Sequence, residues 1–139
     1  MIEERVLRSG GLIVTARFEG EVLRVIDLPK EPAGELTALD LRGMIEQLEH
    51  FPVSFNGGPL FYQRVWKRLR RIPWGTALTY AELAREVESP RAFRAVGQAC
   101  GANPLPLLVP CHRVLAQDGL GGFSSGRAWK ERLLDIEAE

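Results

Sequence analysis

Three prolines within seven residues, Pro104, Pro106 and Pro110, constrain the fold of this 139-residue chain more than any other run in it. Each proline fixes its own φ, lacks an amide donor and drives its predecessor towards extended backbone. Residues 102–111 can therefore continue neither a helix nor a central strand. Their other large members, Leu105, Leu107, Leu108 and Val109, are apolar. The expectation is a stiff, apolar arm that fixes where Cys111 stands relative to the preceding helix. Asn103, placed before a proline, carries a side chain suited to bridging the backbone of a turn.

The arm delivers Cys111 and, directly after it, His112, in a chain with two cysteines and two histidines. A thiol attacks as thiolate, so a reactive cysteine needs a proton acceptor nearby. Neighbours in extended backbone point to opposite sides, so these two require a tight turn or a relay through water. Taken alone, the dipeptide serves equally well as a buried structural cysteine beside a histidine that satisfies a loop.

Upstream, residues 57–101 read as helices with clear punctuation. Phe61, Val65 and Leu69 form an apolar stripe, with Arg64, Lys67, Arg68 and Arg71 largely on the polar side, and Pro73 and Gly75 end that helix. Thr79-Tyr80-Ala81-Glu82 is a capping box, followed by Leu83, Ala84 and Val87. Beyond Glu88, Ser89 is expected to cap, and Pro90 to occupy the first turn of, another helix with the stripe Ala92, Ala95, Val96 and Ala99. Arg91, Arg94 and Gln98 then project from the opposite face, among the small residues Ala95, Gly97 and Gly101. Two short helices joined by so brief a turn form a helix-turn-helix, and a slim second helix can approach a nucleic-acid groove closely.

Downstream, residues 119–126 form a glycine-rich loop without the phosphate-loop pattern, suited to a flat ligand lying against backbone amides. A last helix carries Trp129, Leu133 and Ile136 on one face. Glu137 follows Leu133 by four residues and lands on that same inward side, where a carboxylate is costly unless paired.

The first part of the chain differs in texture. Two runs rich in branched residues, 12–18 and 22–26, flank Glu19-Gly20-Glu21 and read as a hairpin. Thr37 caps a helix with Asp40 at its third position, Leu36 and Leu41 can form a staple, and Leu41, Met44, Ile45 and Leu48 face the hairpin. Residues 51–59 read as a connector with a possible short strand. The fold class is thus α/β (α+β): a small hairpin-and-helix subdomain over residues 1–56, then a mostly helical, winged helix-turn-helix-like domain over 57–139.

Net charge is zero, but residues 1–59 carry a balance of −4 and residues 60–95 one of +5. A basic segment in a neutral chain is an electrostatic footprint for a polyanion, although a solvated helix face gives the same pattern. No apolar run approaches the length of a membrane span, and the acidic start at Met1-Ile2-Glu3-Glu4 does not read as a signal peptide. A cytoplasmic protein with reduced thiols is expected. The cysteines and histidines match no zinc spacing, so no metal is expected.

Trp74-Gly75, Thr79-Tyr80, Arg94-Ala95-Val96-Gly97, Asn103-Pro104, Pro110-Cys111-His112-Arg113-Val114, Gly126 and Glu137 occur in that order. This run resembles the DNA-binding domain of the O6-alkylguanine-DNA alkyltransferases. The resemblance implies that Cys111 accepts an alkyl group irreversibly from O6-alkylguanine, and from O4-alkylthymine, in double-stranded DNA. It implies that His112 takes the thiol proton through a water, that Glu137 holds the imidazole, that Asn103 braces the turn seating the thiol, and that Tyr80 assists the departing guanine. Arg94 would fill the gap left by the rotated nucleotide. Arg91, Ala95, Gly97 and Gln98 would contact DNA from a recognition helix that enters the minor groove, and Thr79 and Arg113 would contact DNA from outside that helix. Tyr80, Val114, Phe123, Ser124 and Ser125 would form the base pocket. No cofactor is implied, and a nucleoid-associated monomer is expected.

The chain departs from the pattern in places. Its first part is short and lacks the cysteine and histidine set that binds zinc in some members. Phe123 stands where many members have tyrosine, and Ser125 where glycine is common. Two other readings compete: a lesion-binding protein that performs no transfer, against which Cys111 speaks, and a helix-turn-helix regulator.

Overall fold

Alternation of small and large apolar residues with polar ones builds the first layer. The computed structural model describes every residue except Ala33 and Asn56, the latter falling in the expected connector and at the end of the first expected subdomain. Strands β1 (Ile2–Ser9), β2 (Leu12–Glu19) and β3 (Val22–Asp27) form an antiparallel sheet in that order, so the expected hairpin is the inner part of a three-stranded meander. Leu12, Val14, Ala16 and Phe18 of β2 point inward, while β1 exposes most of its side chains. As an edge strand exposed along most of its length, with only Leu7 and Ser9 partly covered, β1 lacks the alternation that marks β2.

Helix α1 (Ala38–Glu49) packs on this sheet through Leu41, Met44 and Leu48. Its start is the expected box: Thr37 Oγ1 accepts from Asp40 N at 3.1 Å, and Asp40 Oδ2 accepts from Thr37 N at 3.3 Å. Among the described residues of the connector, Val53 makes a single parallel bridge to Leu23.

The second part follows as α2 (Leu60–Leu69), β4 (Leu78–Thr79), α3 (Tyr80–Glu86), α4 (Phe93–Gly101), a 3-10 turn (Cys111–Arg113), β5 (Val114–Leu115) and α5 (Arg127–Glu137). Strands β4 and β5 pair in parallel, and an isolated antiparallel bridge between Ala116 and Gly119 closes a short hairpin after β5. The box at Thr79 starts α3: its hydroxyl accepts from Glu82 N at 3.1 Å, and Glu82 Oε1 accepts from Thr79 N at 2.9 Å. A Thr79→Ala variant is expected to lose about 1 kcal/mol of stability in urea unfolding, the usual worth of such a cap.

The start of α4 differs from expectation. Ser89 and Pro90 do not open the helix; Ala92 N donates to Ser89 O at 2.8 Å, closing a turn with proline at its second position. Helix α4 begins three residues later, with no side-chain cap. Its inward face is Val96, Ala99 and Cys100, while Trp66 of α2 donates to Ala99 O at 2.7 Å.

The proline-rich arm is buried, as its composition requires, but it is coiled rather than extended. Val109 N donates to Leu105 O and Cys111 N to Val109 O, both at 2.8 Å. Leu107 sits at φ 75, a left-handed conformation unfavourable to a branched side chain, and is held there while 1% exposed.

Several bonds tie the two parts over one continuous core. Ile26 N donates to Pro104 O at 2.9 Å, Trp129 Nε1 to Pro29 O at 2.6 Å, and Arg132 to the carbonyls of Gly34 and Leu36, each at 2.9 Å. Arg42 of α1 lies 3.9 Å over the Trp74 ring. Among the described residues, no helix is long and apolar enough to cross a membrane.

Candidate active site

The arm, the 3-10 turn and α5 converge on Cys111. Asn103 holds the arm's two ends: its Oδ1 accepts from Leu105 N at 2.9 Å, and its Nδ2 donates to Val109 O at 2.7 Å and to Cys111 Sγ at 3.1 Å. The thiol is 2% exposed. Burial pushes it up to about 11, with the Asn103 hydrogen bond and the Lys130 charge working against that rise. At rest Cys111 is a thiol, so its proton must leave as the reaction proceeds.

His112 lies in the same 3-10 turn as Cys111 and not in extended backbone. Its ring is fully buried, and its Nε2 lies 2.6 Å from Glu137 Oε2. Burial holds the imidazole below its ordinary value despite the carboxylate, so it is neutral near pH 7. Glu137 is pushed up by burial, but hydrogen bonds from His112 and Arg113 outweigh this and hold it at about 2. An ionised Glu137 fixes the proton on Nε2 and leaves Nδ1 as the acceptor. That Nδ1 has no hydrogen-bond partner among the described residues.

Arg113 corrects an expectation. The resemblance implies a contact with DNA, yet Arg113 is 6% exposed and turned inward. Its Nε and Nη2 donate to the two Glu137 oxygens at 2.8 and 2.9 Å, and its Nη1 to Ile72 O at 2.7 Å. A guanidinium that meets a carboxylate on both oxygens inside a protein is committed to it. Gly75 N adds a fourth donor to Glu137, at 3.1 Å.

Lys130 is a member of the site that no motif in the sequence marks. It is fully buried on α5, and its ammonium donates to Val114 O at 2.6 Å and to Gly122 O at 2.8 Å. No carboxylate pairs with it among the described residues, an arrangement that costs several kcal/mol to desolvate. It ties β5, one residue beyond the Cys111 turn, to the glycine-rich loop, and lies 5.8 Å over the Tyr80 ring. The signal was present in the helix phase: Lys130 precedes Leu133 by three and Glu137 by seven.

Tyr80 opens α3, half-buried, and burial raises its phenol above the ordinary value, so it is a donor near pH 7. Gly121 passes so close, at φ 75, that a Cβ there would lie 2.9 Å from the Tyr80 hydroxyl. Val114 is buried, and Phe123 stands edge-on to His112 with centroids 6.2 Å apart. Ser124, Ser125, Pro106 and Asn103 border a cleft of about 380 Å³ whose other wall is residues 25–30, so the first part of the chain contributes to it. A larger cleft of about 530 Å³, lined by Arg42, Glu46, Arg71, Trp74 and Arg113, includes neither Cys111 nor His112.

The remaining expected residues lie on α3 and α4. Arg91, Arg94 and Gln98 are exposed, Ala95 and Gly97 half-buried. Thr79 spends its hydroxyl and amide on the α3 cap. Among the described residues, no group of histidine, cysteine and acidic side chains could hold a metal ion.

Comparison with known proteins gives the chain's family. Residues 60–139 match the family model described as 6-O-methylguanine DNA methyltransferase, DNA binding domain. A probable methylated-DNA–protein-cysteine methyltransferase of Acanthamoeba polyphaga mimivirus is 40% identical over 96 residues, covering 69% of this chain and 64% of that protein. The Haemophilus influenzae methylated-DNA–protein-cysteine methyltransferase is 42% identical over 96 residues, covering 68% and 53%. The matched segment thus spans between about half and two thirds of these relatives. The crystal structure of the Mycobacterium tuberculosis O6-methylguanine methyltransferase superposes with a TM-score of 0.78 at 31% identity, over 99% of this chain and 93% of that one. The Mycobacterium tuberculosis OGT in complex with DNA gives 0.77 at 32% identity, over 97% and 92%. From its matched family model and its aligned relatives, this chain belongs to the 6-O-methylguanine DNA methyltransferase family.

Proposed function

We propose that this protein repairs DNA by moving the alkyl group of O6-alkylguanine, and of O4-alkylthymine, onto Cys111. One observation carries the reading: a thiol seated by Asn103 shares a turn with a neutral histidine whose Nε2 is engaged by Glu137 and whose Nδ1 is uncommitted. That is the set required to take a proton from a buried thiol through an intervening water.

In the proposed step the carbon–sulfur bond forms as the carbon–O6 bond breaks. The thiol proton passes to His112, whose charge Glu137 offsets, and Tyr80 donates a proton to the departing guanine. Guanine is restored, and Cys111 is left as a thioether. A thioether is a poor leaving group, so each molecule acts once, without a cofactor. The lesion is unreachable inside a duplex, and turning it out costs a few kcal/mol. Arg94 on α4 fills the gap from the minor groove, with Arg91 and Gln98 beside it; Ala95 and Gly97 let the backbone approach. Phe123, Ser124, Ser125, Val114 and Tyr80 receive the extruded base. The protein works as a monomer on chromosomal DNA in the cytoplasm.

Lys130 is expected to hold the loop in place and to favour the developing thiolate. Lys130→Met should slow transfer at least tenfold and move its pH profile about one unit alkaline, since a nearby cation lowers a thiol by that order. Lys130→Arg should restore the profile in part; a profile unmoved in Lys130→Met would contradict this role.

A nucleoside digest tests the function itself. After incubation with a duplex carrying O6-methylguanine, the modified nucleoside should be replaced by deoxyguanosine in equal amount. An intact lesion would contradict the reading, and so would an abasic site.

A further inference from the structure

Phe93 opens α4 and lies 49% exposed, the one aromatic among the exposed large hydrophobic side chains of the described residues. The turn closed by Ala92 on Ser89 presents it between two exposed arginines, Arg91 and Arg94. Helix geometry fixes what surrounds it. At about 100° per residue, Phe93 lies on the side of the helix that carries the buried Val96 and Cys100. Arg94 leaves the helix about 100° further round. Gly97 and Gly101 fall in the sector between them, and a Cβ at either would meet nothing within 4 Å. The face of α4 is therefore bare along its length and armed at its tip with a ring and a guanidinium side by side.

A bare strip suits close approach of a sugar-phosphate backbone, and the basic pair at its tip favours the same polyanion. A half-exposed ring at that tip does not suit a phosphate. It suits the face of a base, as apolar wedges do where proteins unstack a duplex from the minor groove. We propose that Phe93 is a second wedge, stacking on the base bared when the damaged nucleotide turns out, alongside Arg94. This rests on the alkyl-transfer reading and adds to it a residue that acts on the duplex rather than on the thiol.

A duplex carrying a stable abasic analogue separates the two, because its gap exists without chemistry. The wild-type protein should bind this duplex more tightly than an intact one at fixed salt. Phe93→Ala should lose about tenfold of that preference, the order of one base–aromatic stack, and Phe93→Trp should keep it. Transfer from O6-methylguanine supplied as a free base, which needs no wedge, should be equal in all three and certifies the fold. Full preference retained in Phe93→Ala would overturn the wedge. Failure of the wild-type protein to take the methyl group from a duplex carrying O6-methylguanine would instead contradict the transfer reading.

Discussion

A Cys111→Ser protein should bind a lesion-bearing duplex as the wild type does and transfer nothing. Serine preserves the hydrogen bond from Asn103 Nδ2, which reaches Sγ at 3.1 Å, so the turn and the base pocket should persist and stability should change by no more than about 1 kcal/mol. What is lost is the nucleophile: an alcohol is far harder to ionise than a thiol, and the site holds even the thiol up to about 11. Binding by anisotropy and transfer by chromatography are to be measured on one preparation. Transfer surviving in this variant would move the acceptor elsewhere. Cys100 is the remaining thiol and is pushed higher by its own burial, to about 12.

Glu137→Gln should have the next largest effect, on rate and on stability together. The carboxylate accepts from His112, from Arg113 twice and from Gly75. An uncharged amide leaves the buried guanidinium without its counter-charge, a loss of about 3–5 kcal/mol in buried pairs. It also removes the anion that stabilises protonated His112, so transfer should slow by about 10²–10⁴-fold, the span of general acid–base assistance. Transfer at the wild-type rate would remove Glu137 from the proton path.

Acid titration of stability carries a further signature of this pair. Glu137 sits well below its ordinary 4.5, so its contribution is complete above that pH and is lost as pH falls towards about 2. His112 is also held below its ordinary 6.5, so the unfolded chain binds the proton first and stability begins to fall as pH drops through that region. Both effects act in one direction on acidification. Glu137→Gln should abolish the lower limb of the melting-temperature curve.

The sequence made some of this legible, and for identifiable reasons. Asn103 and Cys111 were fixed by prolines, whose constraint is local, and Glu137 by its distance of four from Leu133, which helical phase converts into a buried face. The two capping boxes stood in the sequence because a cap is itself a local pattern. The direction of Arg113 was not legible, since only the 3-10 turn sends it back to Glu137 rather than outward to DNA. Strand β1 was missed because an exposed edge places no demand on alternation. Lys130 obeyed the same phase that exposed Glu137, but a lysine on an apolar face reads as a surface residue unless its carbonyl partners are known. The left-handed Leu107 has no local signature, being imposed by the packing around it.

The intact mass of the protein after exposure to excess O6-methylguanine duplex tests the central claim most directly. The mass should rise by one methyl group in place of one hydrogen, no further with added duplex or time, and the gain should map to the peptide containing Cys111. A protein that repairs many lesions per molecule, or whose mass stays unchanged while lesions disappear, would contradict transfer to this sulfur.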